Sequence, residues 1–268
     1  MDPILQHAAS VACAAVIDLH SHILPGLDDG VATIEEAREL ARAAVAEGVT
    51  AIAATPHVRA DYPTTPEQME AGVAALRDDF AREAIALEVL HGGEIDLEML
   101  RSLSVEDVRR FTIGQTGRYL LVEFPYHGWP LALETIVFEL GLEGVIPVLA
   151  HPERTAEVQS APERLRPLVQ AGALVQITAA ALDGRLGQTS RRTARELLRL
   201  GLAHVLASDA HGRNVRSVGL ARARNAVGDA ELSRYLTRSA PGAIAAGETL
   251  PGRPTPTRSP RRLFRHGA

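Results

Sequence analysis

The 268-residue chain contains no lysine, so all 28 of its basic residues are arginine. We read this bias as genomic base composition and draw no function from it. There is a single cysteine, Cys13, which excludes an internal disulfide and any CxxC metal or redox site. No phosphate-cradling Gly/Arg loop follows Cys13, so the pattern of a cysteine-dependent phosphatase is also missing. No apolar run approaches the ~18–20 residues that span a bilayer, so a membrane-embedded protein is not expected. The N-terminal stretch lacks the basic n-region of a signal peptide, and a cytoplasmic protein is expected. Net charge is −5 with a pI near 6.1, which offers nucleic acid no general attraction. With 46% hydrophobic residues, wholesale disorder is excluded.

What is present alternates. Strands are expected at Ala14–Leu19, Val49–Ala54, Leu87–Gly92, Tyr119–Glu123, Val145–Leu149, Leu174–Ile177 and His204–Ala207. Each is apolar over most of its length, as buried parallel strands are. Helices are expected at Thr33–Glu47, Thr65–Arg82, Leu131–Leu140, Ala161–Gln170, Gln188–Leu200 and Ser217–Ala226. Thr33 and Glu36 have the spacing of a capping box, and Gly48, Gly141, Gly172 and Gly201 sit where helices should stop. Seven strands with intervening helices predict a parallel, barrel-like α/β fold. The chain divides into an N-terminal extension (1–14), one domain (15–249) and a disordered basic tail (250–268) rich in proline and arginine.

The chemistry lies at the strand ends. His20 and His22, at i and i+2, project to one side of an extended chain, so both rings can reach one ion. Asp29 follows in a turn-rich loop, Leu24–Asp29. Later strands run into His57, Glu94, Glu123, His151 and the pair Asp209 and His211. The C-terminal strand ends of a parallel α/β barrel share one face, so these side chains converge. Singly, each has an ordinary explanation as a hydrogen-bonded or solvated residue; together they predict a metal site. Imidazole and carboxylate without thiolate suit manganese, zinc or iron. Nine candidate ligands exceed one tetrahedral ion and imply two or three ions sharing carboxylates, a cluster that clamps phosphate and activates water. Arg154 and Arg216, close behind His151 and His211, have guanidinium forks that suit phosphate oxygens.

DLHSH-LPGLDDG, TPH, GGEI, LVEFP, AHPER, GALVQITAAALDGRLG and ASDAH, in that order, resemble the PHP (polymerase and histidinol phosphatase) superfamily. Within it they are most similar to the bacterial manganese-dependent tyrosine phosphatases of capsule and exopolysaccharide gene clusters. The resemblance spans roughly residues 15–248. HxH with a distant DxH marks only the superfamily; LPGLDDG, GGEI and AHPER mark the phosphatase branch.

The resemblance implies a distorted (β/α)7 barrel with up to three Mn2+ ions. His20, His22 and Asp209 would bind the first, with Glu94 bridging to a second that Glu123 and His151 complete. His57, His211 and Asp29 would hold the third, Asp29 rather than Asp28 because the family aspartate precedes glycine. Arg154 and Arg216 would grip the phosphoryl group. The implied substrate is phosphotyrosine on a protein, the tail of a bacterial tyrosine autokinase controlling polysaccharide export. Gly212, Ser217 and Thr155 stand where the family usually has Asn, Pro and Tyr, at the rim rather than among the ligands. Two other functions compete: a small-molecule phosphatase of histidinol-phosphate type, and a non-catalytic docking module. Relatives of the first type tend to differ in the loop after HxH, and intact ligands at every motif oppose the second.

Overall fold

The computed structural model describes residues 15–123 and 125–254. Its strands are β1 (Val16–Ser21), β2 (Val49–Ala54), β3 (His57–Arg59), β4 (Tyr62–Pro63), β5 (Glu88–Leu90), β6 (Glu94–Asp96), β7 (Tyr119–Glu123), β8 (Ile146–Ala150), β9 (Leu174–Thr178) and β10 (Val205–Ala207). They form two ladders, β1-β2-β5 and β10-β9-β8-β7-β6-β3-β4. All named pairs are parallel except β3 with β4.

The ladders are two parts of one ring. β2 runs into β3 and β5 into β6, each interrupted at a few residues. Pro56 interrupts the first because it has no N–H to donate; its carbonyl accepts the Glu94 N–H at 3.1 Å instead. Gly92 and Gly93 interrupt the second. A Cβ on Gly93 would lie 2.5 Å from Phe111 Cδ1, so only glycine lets this strand pass so close to Phe111. At the other seam Ser21 bridges Ala210 in parallel. There the Asp209 N–H donates to the His20 carbonyl and the His22 N–H to that of Ala210, both at 2.9 Å. Seven strand courses thus circle a distorted barrel, the expected fold. The expected strands match these courses, whereas β3, β4 and β6 emerge only where the chain is bent.

Two apolar clusters hold it together. The larger lies between the ring and its helices. The helix Ile34–Ala46 buries Ala37, Leu40, Ala41 and Ala44, and Pro66–Arg82 buries Met69, Val73, Leu76 and Phe80, each a stripe at helical spacing. The smaller cluster fills the barrel with Leu19, Ala53, Tyr119, Leu121, Val148, Ala150, Val205 and Ala207, closed below by Ile113 and Ile244. The site side chains therefore sit on a solid floor.

Several local expectations need correction. Thr33 caps its helix by accepting the Glu36 N–H, but the Glu36 carboxylate takes the Ala32 N–H at 2.6 Å, so the reciprocal box does not form there. It forms at Thr65 and Gln68. Gly141 stays inside the helix Leu133–Leu142, and Gly144 takes the positive φ of 76° that ends this turn. The expected helix Ala161–Gln170 is broken into a 3-10 turn, Pro162–Leu165, and a short helix, Arg166–Gln170, since Pro167 supplies no N–H. The expected tail starts with packed residues: Leu250 lies against the core, and the Arg253 guanidinium donates to the carbonyls of Ala203 and Leu198. The extension 1–14 with Cys13 and the tail from 255 lie outside the described residues.

Candidate metal centre

All nine predicted ligands meet at the C-terminal mouth of the barrel. The register of β1 against β2 shifts between Asp18 and Ser21. Leu19 belongs to the interior cluster and Ile17 packs against it, while through the shift His20 and His22 turn to the mouth, with Nε2 atoms 3.2 Å apart. Glu94, at the start of β6, is central. Its Oε2 lies 3.3 Å from Nε2 of both His20 and His22 and 3.0 Å from His57 Nδ1; its Oε1 lies 2.8 Å from His151 Nε2. Asp209 Oδ1 stands 3.4 Å from each of the first two imidazoles. Asp29 Oδ1 lies 3.2 Å from His211 Nε2 and 3.5 Å from His57 Nε2.

Four groups bring ligand atoms within 4.8 Å of one another: His22, Asp29, His57 and His211; His20, His22 and Glu94; His20, His151 and Asp209; and His57, Glu94 and Glu123. Two groupings differ from expectation. His57 faces Glu94 and Glu123 as well as Asp29, and His151 faces His20 and Asp209 as well as Glu94. The barrel is narrow enough that one imidazole serves two neighbours.

The far side of several rings is committed. His22 Nδ1 lies 2.6 Å from Asp28 Oδ2, whose carboxylate also takes the N–H groups of His57 and Gly30 at 2.9 Å. His20 Nδ1 donates to Gln176 Oε1 at 3.1 Å, and His211 Nδ1 to the Asp209 carbonyl at 2.9 Å. An imidazole whose Nδ1 carries the proton offers the Nε2 lone pair to the site, the usual support of a metal-binding histidine. Meanwhile His57 Nδ1, Glu94 Oε2, Glu123 Oε1 and His211 Nε2 are buried, and their close charged neighbours are not aligned with them as hydrogen bonds. Buried polar atoms are rarely left so, and four in one place, with imidazole and carboxylate donors, fit divalent cations.

The electrostatics agree. Burial opposes charge on Glu94, yet the His20 and His57 imidazoles hold its pKa well below the usual carboxylate range. Burial likewise opposes charge on His22, but Asp209, Asp28 and Glu94 hold it well above an ordinary histidine. Burial and the neighbouring Glu94 push Glu123 up to about 7. Burial, then Arg154, lowers His151 to about 4. Such opposed shifts mark carboxylates and imidazoles packed more closely than protons alone balance.

At the rim, Arg154 Nη1 donates to Asp209 Oδ2, and its guanidinium lies 5.2 Å above the Tyr126 ring. That ring stacks on His151 with centroids 6.0 Å apart. Across the mouth Arg59 lies 5.2 Å above Tyr62, which stacks on His57, also at 6.0 Å. Arg216 Nη2 donates to Asp29 Oδ2 at 2.8 Å. His151 and Asp209 take positive φ of 35° and 53°, conformations costly for residues with a Cβ and characteristic of functional sites. Gln176, Arg59 and Tyr62 were not foreseen. Gln176 had a signal, as a lone amide within the apolar strand β9; Arg59 and Tyr62 simply follow His57.

Residues 16–238 match the protein family described as capsular polysaccharide synthesis, CpsB/CapC. The chain is 37% identical to the tyrosine-protein phosphatase YwqE of Bacillus subtilis over 211 residues, 75% of this chain and 80% of that protein. It is 31% identical to the tyrosine-protein phosphatase CpsB of Streptococcus pneumoniae, over 75% of this chain and 85% of the relative. A crystal structure from work on YwqE and CpsB, described there as unique metal-dependent tyrosine phosphatases, superposes with a TM-score of 0.79 at 34% identity, covering 90% of this chain and all of that one. A zinc-containing histidinol phosphate phosphatase from Lactococcus lactis shares the fold at 12% identity and a TM-score of 0.50, over 80% of this chain and 92% of that one.

Proposed function

This chain belongs to the CpsB/CapC family of capsular polysaccharide synthesis, and on that premise we propose that it is a metal-dependent phosphatase that hydrolyses phosphotyrosine on a protein. The single observation that carries the reading is Glu94 ringed by four imidazoles, with Arg154 and Arg216 at the same mouth.

In this reading His20, His22, Asp209 and Glu94 would hold one ion, Glu94, Glu123 and His151 a second, and His57, His211 and Asp29 a third. Manganese is the ion we assign; zinc and iron suit the same donors. Bound divalent ions supply Lewis-acid stabilisation of a phosphoryl group and a nucleophilic water at neutral pH. The chain's own residues do the rest. Asp28, Gln176 and the Asp209 carbonyl hold three rings in one tautomer. Arg154 and Arg216 offer planar forks to the phosphoryl oxygens as charge develops there. Tyr126 and Tyr62 flank the entrance, each ring packed with an arginine and a histidine, and Tyr126 is 37% exposed. An open aromatic rim suits a tyrosine ring on a polypeptide better than a small metabolite that must be enclosed.

We assign the tail of a tyrosine autokinase controlling polysaccharide synthesis as the substrate, and the cytoplasm, where such a kinase finds ATP, as the place of action. Among the described residues no helix is long and apolar enough to cross a membrane. The test compares kcat/KM for a phosphotyrosine peptide, a phosphoserine peptide and histidinol phosphate at matched manganese and pH. The peptide with phosphotyrosine should be preferred, since the shorter serine side chain cannot carry its phosphate as deep. Preference for histidinol phosphate would overturn the substrate assignment and leave the metal centre standing.

A further inference from the structure

Arg216 sits in an exposed turn in which Val215 is 52% exposed; the nearest apolar anchor is Val218, two residues on, which is buried in the core. Within the loop the His211 N–H donates to the Arg216 carbonyl at 2.8 Å, and the Arg216 N–H to Asn214 Oδ1 at 2.9 Å. Besides the contact of Arg216 itself with Asp29, a second tie of this turn to the barrel comes from another element. Arg185, just after the short helix Ala179–Leu182 that follows β9, reaches under it. Its Nη1 lies 2.8 Å from the Val215 carbonyl and 2.9 Å from both the carbonyl and the hydroxyl of Ser217. The two residues flanking Arg216 are thus held by one guanidinium. That guanidinium is itself aimed by Asp183, whose oxygens lie 2.9 and 3.1 Å from its Nε. Gly219 makes the fit possible: it has a φ of +59°, and a Cβ there would stand 1.9 Å from Arg185 Nη2.

We propose that Arg185 is a positioning residue, a latch that holds the Arg216 loop in the geometry that binds the phosphoryl group. The inference rests on the reading that Arg216 grips that group. Among the described residues Arg185 hydrogen-bonds Asp183, Val215 and Ser217 and none of the nine candidate ligands. Its effect passes through the loop, where a small misplacement of a binding group is costly. The planar guanidinium is needed because its Nε meets the Asp183 carboxylate while the two N–H groups of Nη1 are shared among three loop acceptors, two directions that a lysine ammonium does not hold at once.

The experiment uses Arg185→Gln and Arg185→Lys, each alone and combined with Arg216→Ala, with 4-nitrophenyl phosphate as substrate and inorganic phosphate as competing ligand. Both single variants should raise KM and the phosphate inhibition constant roughly tenfold, keep the full metal content, and speed amide exchange over residues 211–219. In the Arg216→Ala background the same changes should shift KM by less than about twofold, since the group being positioned is gone. An equal loss in that background, a loss of metal, or unchanged KM and exchange would overturn the latch. If the glutamine variant does not fold, the lysine variant and Gly219→Ala, which crowds the same guanidinium, carry the test. Should the wild-type enzyme ignore phosphotyrosine, the functional reading fails alone, because phosphate binding and amide exchange still report on the loop.

Discussion

Asp28 and Asp29 are adjacent in the chain but face different partners. Asp28 lies against His22 Nδ1, the side of the ring turned away from the mouth, at 2.6 Å, while Asp29 Oδ1 lies 3.2 Å from His211 Nε2. In the proposed centre Asp28 would orient a ligand and Asp29 would be one. Asp29→Asn should therefore remove one ion from the fully loaded protein. Asp28→Asn should keep the ion count at saturating metal but weaken affinity by roughly 10–100-fold, the usual cost of losing such a support. Metal titration followed by elemental analysis separates the two, and the reverse pattern would exchange their roles.

Chelation is the broadest test of the site. Removing divalent ions should abolish turnover, and manganese should restore it best. Full activity in metal-free protein would sink the proposed chemistry. Cys13→Ser should leave activity untouched, whereas an enzyme with a cysteine nucleophile would be inactivated.

Glu94 contacts four imidazoles, so Glu94→Gln should lower bound metal and turnover together. The amide keeps the volume but loses the charge that two ions would share. Undiminished metal occupancy would reject Glu94 as a bridge.

Arg216→Ala should reduce kcat/KM by roughly 10–1000-fold, the range for loss of one transition-state charge contact, with metal content retained. Arg154→Ala should cost more, because Arg154 also donates to Oδ2 of the buried Asp209, and its loss leaves that oxygen without its hydrogen bond while Oδ1 keeps only the His20 and His22 imidazoles beside it. Steady-state kinetics with parallel metal analysis gives both numbers.

Away from the site, Asp79 joins two helices through a fork from Arg38, with contacts of 2.6 and 2.8 Å. That hydrogen-bonded pair lowers the Asp79 pKa to about 2. The group is depressed in the folded state, so its contribution is full above the unfolded value near 4 and is lost as pH falls towards 2. Asp79→Asn should thus lower the melting temperature at pH 7, and the gap from wild type should close on acidification through that window. A gap that widens at low pH would contradict the assignment.

Much of this protein can be read from the chain alone. Buried parallel strands are apolar runs, and a side chain placed just past such a run must lie at the mouth of a parallel barrel. That is why His20, His22, His57, Glu94, Glu123, His151, Asp209 and His211 could be gathered by inspection. Helix stripes such as Ala37, Leu40, Ala41 and Ala44 are legible for the same local reason, since period and face are properties of neighbouring residues. Tertiary structure decided the rest. Whether Thr33 or Thr65 completes its capping box depends on where a glutamate or glutamine side chain settles. The resemblance already favours Asp29, but that Asp28 faces His22 and Asp29 faces His211, far along the chain, is settled only by the fold. Gln176 gains its role only when the ring brings β9 to His20 of β1 and to His151, Arg185 only when the loop after β10 settles beside it, and His57 meets Glu123 only across the narrowed ring. Periodicity and spacing record what each segment buries, but hydrogen-bond partners are assigned by which segments the closed barrel brings within about 3 Å, and that distance is set by packing between residues remote in sequence.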